Sequence, residues 1–186
     1  MADGVALPAV ASVPLDNRKW VRVLVTALAS LLFAVVTFGF FRWMAGLAPP
    51  TPWVHQTALT LHLVTVIPAI PLGAYILFVK KGGPRHRLLG KIWLTLMFST
   101  AVATLFVRNI NPGQLSWIHI FSLITFISVP RAYLSARRRD FRAHRSTVLG
   151  LYVGALLIAG FVALAPGRTM SQWVFGHRTT AAASHG

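Results

Sequence analysis

Apolar residues gather in five stretches of this chain, each close to 20 residues long and parted by short polar breaks rich in proline, glycine and basic residues. A run of that length is about what an α-helix needs to cross a hydrocarbon core ~30 Å thick. The pattern predicts an all-α membrane protein with five transmembrane helices, over Val23 to Phe41, Val54 to Val79, Leu88 to Val107, Trp117 to Ala136 and Thr147 to Ala165. The breaks carry their own signals. Pro49-Pro50-Thr51-Pro52 ends the first loop, Lys80-Lys81-Gly82-Gly83 makes a tight turn, and Pro84 is well placed as the first residue of the next helix. Pro68 and Pro71 fall inside the second run, where each removes a backbone donor and is expected to kink the helix.

The pattern also repeats. Trp53-Val54-His55 and Trp117-Ile118-His119 each open an apolar run that leads to a tyrosine, a basic cluster and a His-Arg pair. Tyr75 lies eleven residues before His86, and Tyr133 eleven before His144. Spans two and three (residues 53–107) and spans four and five (residues 115–166) are therefore expected to form a parallel internal repeat about an axis along the membrane normal. Outside it stand a flexible tail (residues 1–17), a first anchor helix (residues 18–43) and an interfacial segment with tail (residues 167–186), in which Met170 to Phe175 suit a short surface helix. The two units differ in one respect: Trp53 to Tyr75 is six residues longer than Trp117 to Tyr133, about 9 Å of helix at 1.5 Å per residue.

Composition narrows the chemistry. The net charge of +15 sits in clusters between apolar runs rather than along an aromatic-studded groove, which argues against nucleic acid. Fourteen Lys and Arg fall on one side of the expected membrane and four on the other, which places the N-terminus in the cytoplasm and the C-terminus outside. With no cysteine, thiolate metal sites and covalently attached haem are excluded. The three acids, Asp3, Asp16 and Asp140, lie outside the runs, so no carboxylate relay is available within the membrane.

Histidine remains. The repeat is expected to bring His86 and His144 together at the cytoplasmic side and to set His119 opposite a histidine of span two near the outer side. Counted from the outer tryptophan that partner is His55; counted back from the tyrosine it is His62. Paired imidazoles from facing helices are what b-type haem iron takes as axial ligands, so His62, His119, His86 and His144 are the candidate haem-iron ligands, with His55 as an alternate. Arg85, Arg87, Lys91, Arg142 and Arg145 are candidate partners for haem propionates. The plainer alternatives are interfacial His-Arg pairs that hold lipid headgroups and hydrogen-bonded interior histidines. Gly150 and Gly154 suit a close helix contact, and the tryptophans mostly suit the membrane interface.

Four consecutive helices that each carry a histidine resemble the transmembrane ascorbate-reducible cytochromes b, in which two haems sit on opposite membrane sides. A second resemblance rests on the run His144 to Tyr152, on Ala165-Pro166-Gly167-Arg168, on Trp117-Ile118-His119, and on His86-Arg87 with Gly90, Lys91 and Trp93. These look like a bacterial family of predicted membrane proteins, domain of unknown function 2306. That resemblance implies a membrane fold and brings no activity. The expected function is a haem b electron-transfer protein working with quinone or another redox partner in the lipid bilayer, as a monomer or homodimer. The alternatives are a non-enzymatic membrane subunit or assembly factor, or a small-molecule transporter.

Overall fold

The computed structural model describes residues 19–49, 53–106 and 118–176, and the side chains at 53–56 and 118–119 fall outside that description. The expected N-terminal tail, the loop around Asn109 to Gly113, and His177 and His185 lie outside the described residues, as do the side chains of His55 and His119. What is described is helix and turn. Helix α1 spans Lys19–Met44, α2 Trp53–Phe78, α3 Pro84–Phe106 and α4 Ile118–Arg137. A fifth long helix, α5, spans Phe141–Val162, and the short α6 spans Thr169–Phe175.

Four of these, in α1, α2, α3 and α5, are long and apolar enough to cross a membrane. The fifth expected span, α4, is an observed helix of 20 residues but is not among the four. Pro130, Arg131, Ser135 and Arg137 make its last two turns polar.

Helix α5 begins earlier than expected. Apolarity alone suggests a start at Thr147, but the Asp140 carboxylate accepts from the Ala143 backbone N–H at 3.0 Å and caps the helix there. The basic run therefore splits. Arg138 to Asp140 form the turn, with Arg139 at φ 59°, while Arg142, His144 and Arg145 stand on the first turns of α5. Farther along, Leu151–Ile158 widens into a π-helix whose inner face buries Leu151, Tyr152, Leu156 and Leu157. This stretch contacts α1, α2 and α4.

Helices α2, α3 and α5 meet at a knot of polar aromatic groups. Trp93 Nε1 of α3 donates to the Ala69 carbonyl at 3.0 Å, and the Tyr152 hydroxyl of α5 donates to the Ile70 carbonyl at 3.0 Å. Both carbonyls lie in the turns of α2 that hold Pro68 and Pro71. These two bonds tie α3 and α5 to the proline-containing turns of α2. Gly73 permits the approach, since a Cβ there would stand 2.5 Å from the Tyr152 ring.

One expectation is corrected at this point. A Cβ at Gly150 or Gly154 would meet nothing within 4 Å, so neither is a close contact; Gly39, Gly73 and Gly160 are. Gly160 abuts Leu32 of α1, and Gly39 of α1 lies against Val174 and Met170 of α6. Not all of the tryptophans mark the interface: Trp93 and Trp173 are each 1% exposed. Trp173 stacks on Trp43 at 4.9 Å, and Arg42 Nη1 donates to the Val174 carbonyl at 2.9 Å, so α6 is fastened across the end of α1.

Candidate functional site

Two concave sites in the bundle hold histidines. The first lies at the end bearing the basic turns. His86 stands on the first turn of α3, just after Pro84, and His144 on the first turn of α5, just after its Asp140 cap. Both line one cleft of about 500 Å³. Its floor is apolar, formed by Ile76, Leu77, Trp93 and Val148, and its rim carries Lys81, Arg87, Lys91, Arg137 and Arg145. No carboxylate lines it among the described residues. Of the expected propionate partners, Arg87, Lys91 and Arg145 are on the rim, whereas Arg85 and Arg142 do not line the cleft.

The protonation of His144 follows from its partner. Its Nδ1 lies 2.8 Å from the Ala132 carbonyl, which can only accept, so Nδ1 carries the proton and donates. Nε2 is left with its lone pair. The Nδ1 of His86 is buried with no hydrogen-bond partner among the described residues. His86 is partly buried and lies in the electrostatic neighbourhood of His144 and Lys81. Lys81 is a loop residue. Partial burial, and secondarily the Arg22 guanidinium, hold its ammonium below the ordinary lysine value.

The second site is in the core. His62 on α2 lines a cavity of about 90 Å³ together with Thr100 and Thr104 of α3 and Ser122 and Thr125 of α4. His62 Nδ1 lies 2.9 Å from Thr104 Oγ1. The length difference between the repeats singles out His62 as the deeper histidine of span two, and it does reach the bundle interior. Whether His119 meets it lies outside the described side chains. Sequence reasoning did not attach Thr65, Thr100 or Thr104 to His62. The spacing of Thr100 and Thr104, four apart and thus on one helix face, was the available signal.

A model of the predicted membrane proteins grouped as domain of unknown function 2306 matches residues 59–182. The chain belongs to that family. The match takes in both sites, including His62, His86 and His144, and begins just after His55. Membership makes the chain a predicted integral membrane protein, in keeping with its four apolar helices of spanning length. Comparison with curated proteins and with solved structures returns no match for this family member.

Proposed function

We propose that the protein holds one b-type haem in the basic-end cleft and passes electrons across or along the bacterial inner membrane. The observation that carries this reading is the meeting of His86 and His144, from two different helices, in a cleft with an apolar floor and a cationic rim. A volume of about 500 Å³ falls within the ~300–1,000 Å³ typical of small-molecule sites. The donor set fits as well. Metal-bound histidines usually donate their other ring N–H to a carbonyl or carboxylate, as His144 does to Ala132. His86 brings a buried ring nitrogen in need of a partner. Arg87, Lys91 and Arg145 supply charge-assisted donors suited to propionates. When bound, the group supplies one-electron transfer at a potential set by its ligands and surroundings. The cavity at His62, about 90 Å³, is far too small for a macrocycle, so the reading takes a single haem.

In this reading α4 is the fifth span and spans two to five form a parallel repeat. The fourteen-to-four distribution of basic residues sets the N-terminus and the cleft on the cytoplasmic side. A quinol or a cytoplasmic donor would then reduce the protein, as a monomer or a homodimer. The test is the absorption spectrum of protein purified after expression with haem supply. A Soret band that shifts on dithionite reduction, and is lost in both His86→Ala and His144→Ala, is expected. Wild-type protein with no Soret band would end the proposal.

The five cations and the lack of a lining carboxylate favour one second reading, an anionic phospholipid headgroup in the same cleft. It expects no Soret band, and it expects co-purified anionic lipid that is lost when Arg87 and Lys91 are neutralised together.

A further inference from the structure

We infer that His62 and the hydroxyls around it form a second site, independent of the haem reading, that takes a cluster of about three water molecules and uses His62 as its proton acceptor. The argument begins with one hydrogen atom. Thr104 Oγ1 lies 2.8 Å from the Thr100 carbonyl and 2.9 Å from His62 Nδ1, but a hydroxyl has a single proton to donate. A carbonyl cannot donate, so the hydroxyl proton goes to Thr100. His62 must then supply the proton of its own contact, which makes it the Nδ1–H tautomer and leaves Nε2 with a lone pair.

The remaining hydroxyls close the network. Thr100 donates to Thr65 Oγ1 at 2.8 Å, and the single Thr65 hydroxyl proton goes to a helix carbonyl, that of Leu61 at 2.8 Å or of His62 at 3.0 Å. The Thr104 and Thr65 protons end on backbone carbonyls and the Thr100 proton on Thr65 Oγ1, so the threonine chain fixes the ring and offers a proton no way out. Exchange is left to the Nε2 side.

The cavity that the ring lines has the size and polarity for water. About 90 Å³ holds about three molecules at ~30 Å³ each, and a buried water needs two to four polar partners. Ser122 and Thr125 add their oxygens to that of the ring. Thr125 already donates to the Phe121 carbonyl at 2.8 Å and therefore presents an acceptor. Leu32, Val36 and Ile70 supply apolar walls, and His62 is the cavity's single titratable lining group among the described residues. In the proton step a hydronium of the cluster gives its proton to Nε2 and becomes water. The ring becomes imidazolium with Nδ1–H still held by Thr104, and the reverse step restores both.

The test uses haem-free full-length protein, labelled with ¹⁵N-histidine, in lipid nanodiscs. Solid-state NMR is expected to show neutral His62 with Nδ1 protonated and Nε2 bare, and magnetisation transfer from water to its ring. Thr104→Ser is expected to keep that tautomer, and Thr104→Val to lose the preference. An Nε2–H tautomer in wild type, a ring that receives no transfer from water, or an unchanged tautomer in folded Thr104→Val would each overturn the inference. Should Thr104→Val not fold, the wild-type spectrum decides. A missing Soret band bears on the cleft alone.

Discussion

At the residue scale, close packing and hydrogen bonding at the α2–α3–α5 knot can be weighed against each other. Gly73→Ala would set a Cβ 2.5 Å from the Tyr152 ring and 2.6 Å from Trp93 Nε1, two fully buried groups with no room to retreat. Overpacking of that kind costs about 1–3 kcal/mol. Tyr152→Phe keeps the ring and removes only the hydrogen bond to Ile70, and interhelical hydrogen bonds within membranes average ~0.6 kcal/mol. Gly73→Ala is therefore expected to lower the thermal midpoint in detergent more than Tyr152→Phe does. The opposite order would mean that the hydrogen bond outranks the packing. Residues of the cleft were legible in the sequence because the repeat marks His86 and His144. Gly73 was not, since its neighbours Trp93 and Tyr152 come from helices 20 and 79 positions away.

At the scale of the element, the start of α5 shows a local cue overriding hydropathy. Charge density makes residues 137–145 read as loop, yet one Asp side chain satisfies an otherwise unpaired N–H and moves the helix start to Phe141. Asp140→Ala removes that acceptor at an expected cost of about 0.5–2 kcal/mol. Because the first turn carries His144 and Arg145, amide exchange at Ala143 and His144 is expected to accelerate while that of α3 stays unchanged. Unaltered exchange at Ala143 would show that the cap contributes nothing. Helix α4 makes the converse case. Its polar last turns lower its hydropathy, but Ala132, whose carbonyl holds His144, is fully buried there.

For the whole molecule, charge and cleft make two predictions. Reporter fusions in the turns at residues 80–83 and 138–140 are expected to behave as cytoplasmic, and fusions after Arg108 as external; a reversed pattern would overturn the orientation. The second concerns pH. Lys81 is held below the ordinary 10.5 in the folded protein, so it loses its proton early as pH rises. A bound anion favours the charged ammonium, and above the lowered value that charge must be restored on binding. On the haem reading, affinity is thus expected to fall as pH climbs toward 10.5, and Lys81→Met to flatten the profile. A wild-type profile with no decline would remove Lys81 from the site.

Run length and loop chemistry act locally, and so the amino-acid sequence by itself determined the helices, their breaks, the basic end and the expectation that His86 and His144 share that end, where both line one cleft. Which face of each helix looks inward was decided only in the tertiary structure. The spans are apolar all round, since lipid tails are as apolar as a core, and large side chains such as Leu24, Leu31, Phe38 and Ile127 remain exposed. No hydrophobic stripe therefore tells Leu32 from Leu31, or His62 in the interior from a lipid-facing neighbour. Contacts among helices make that choice: Gly160 against Leu32, Tyr152 on Ile70, and Thr104 on His62.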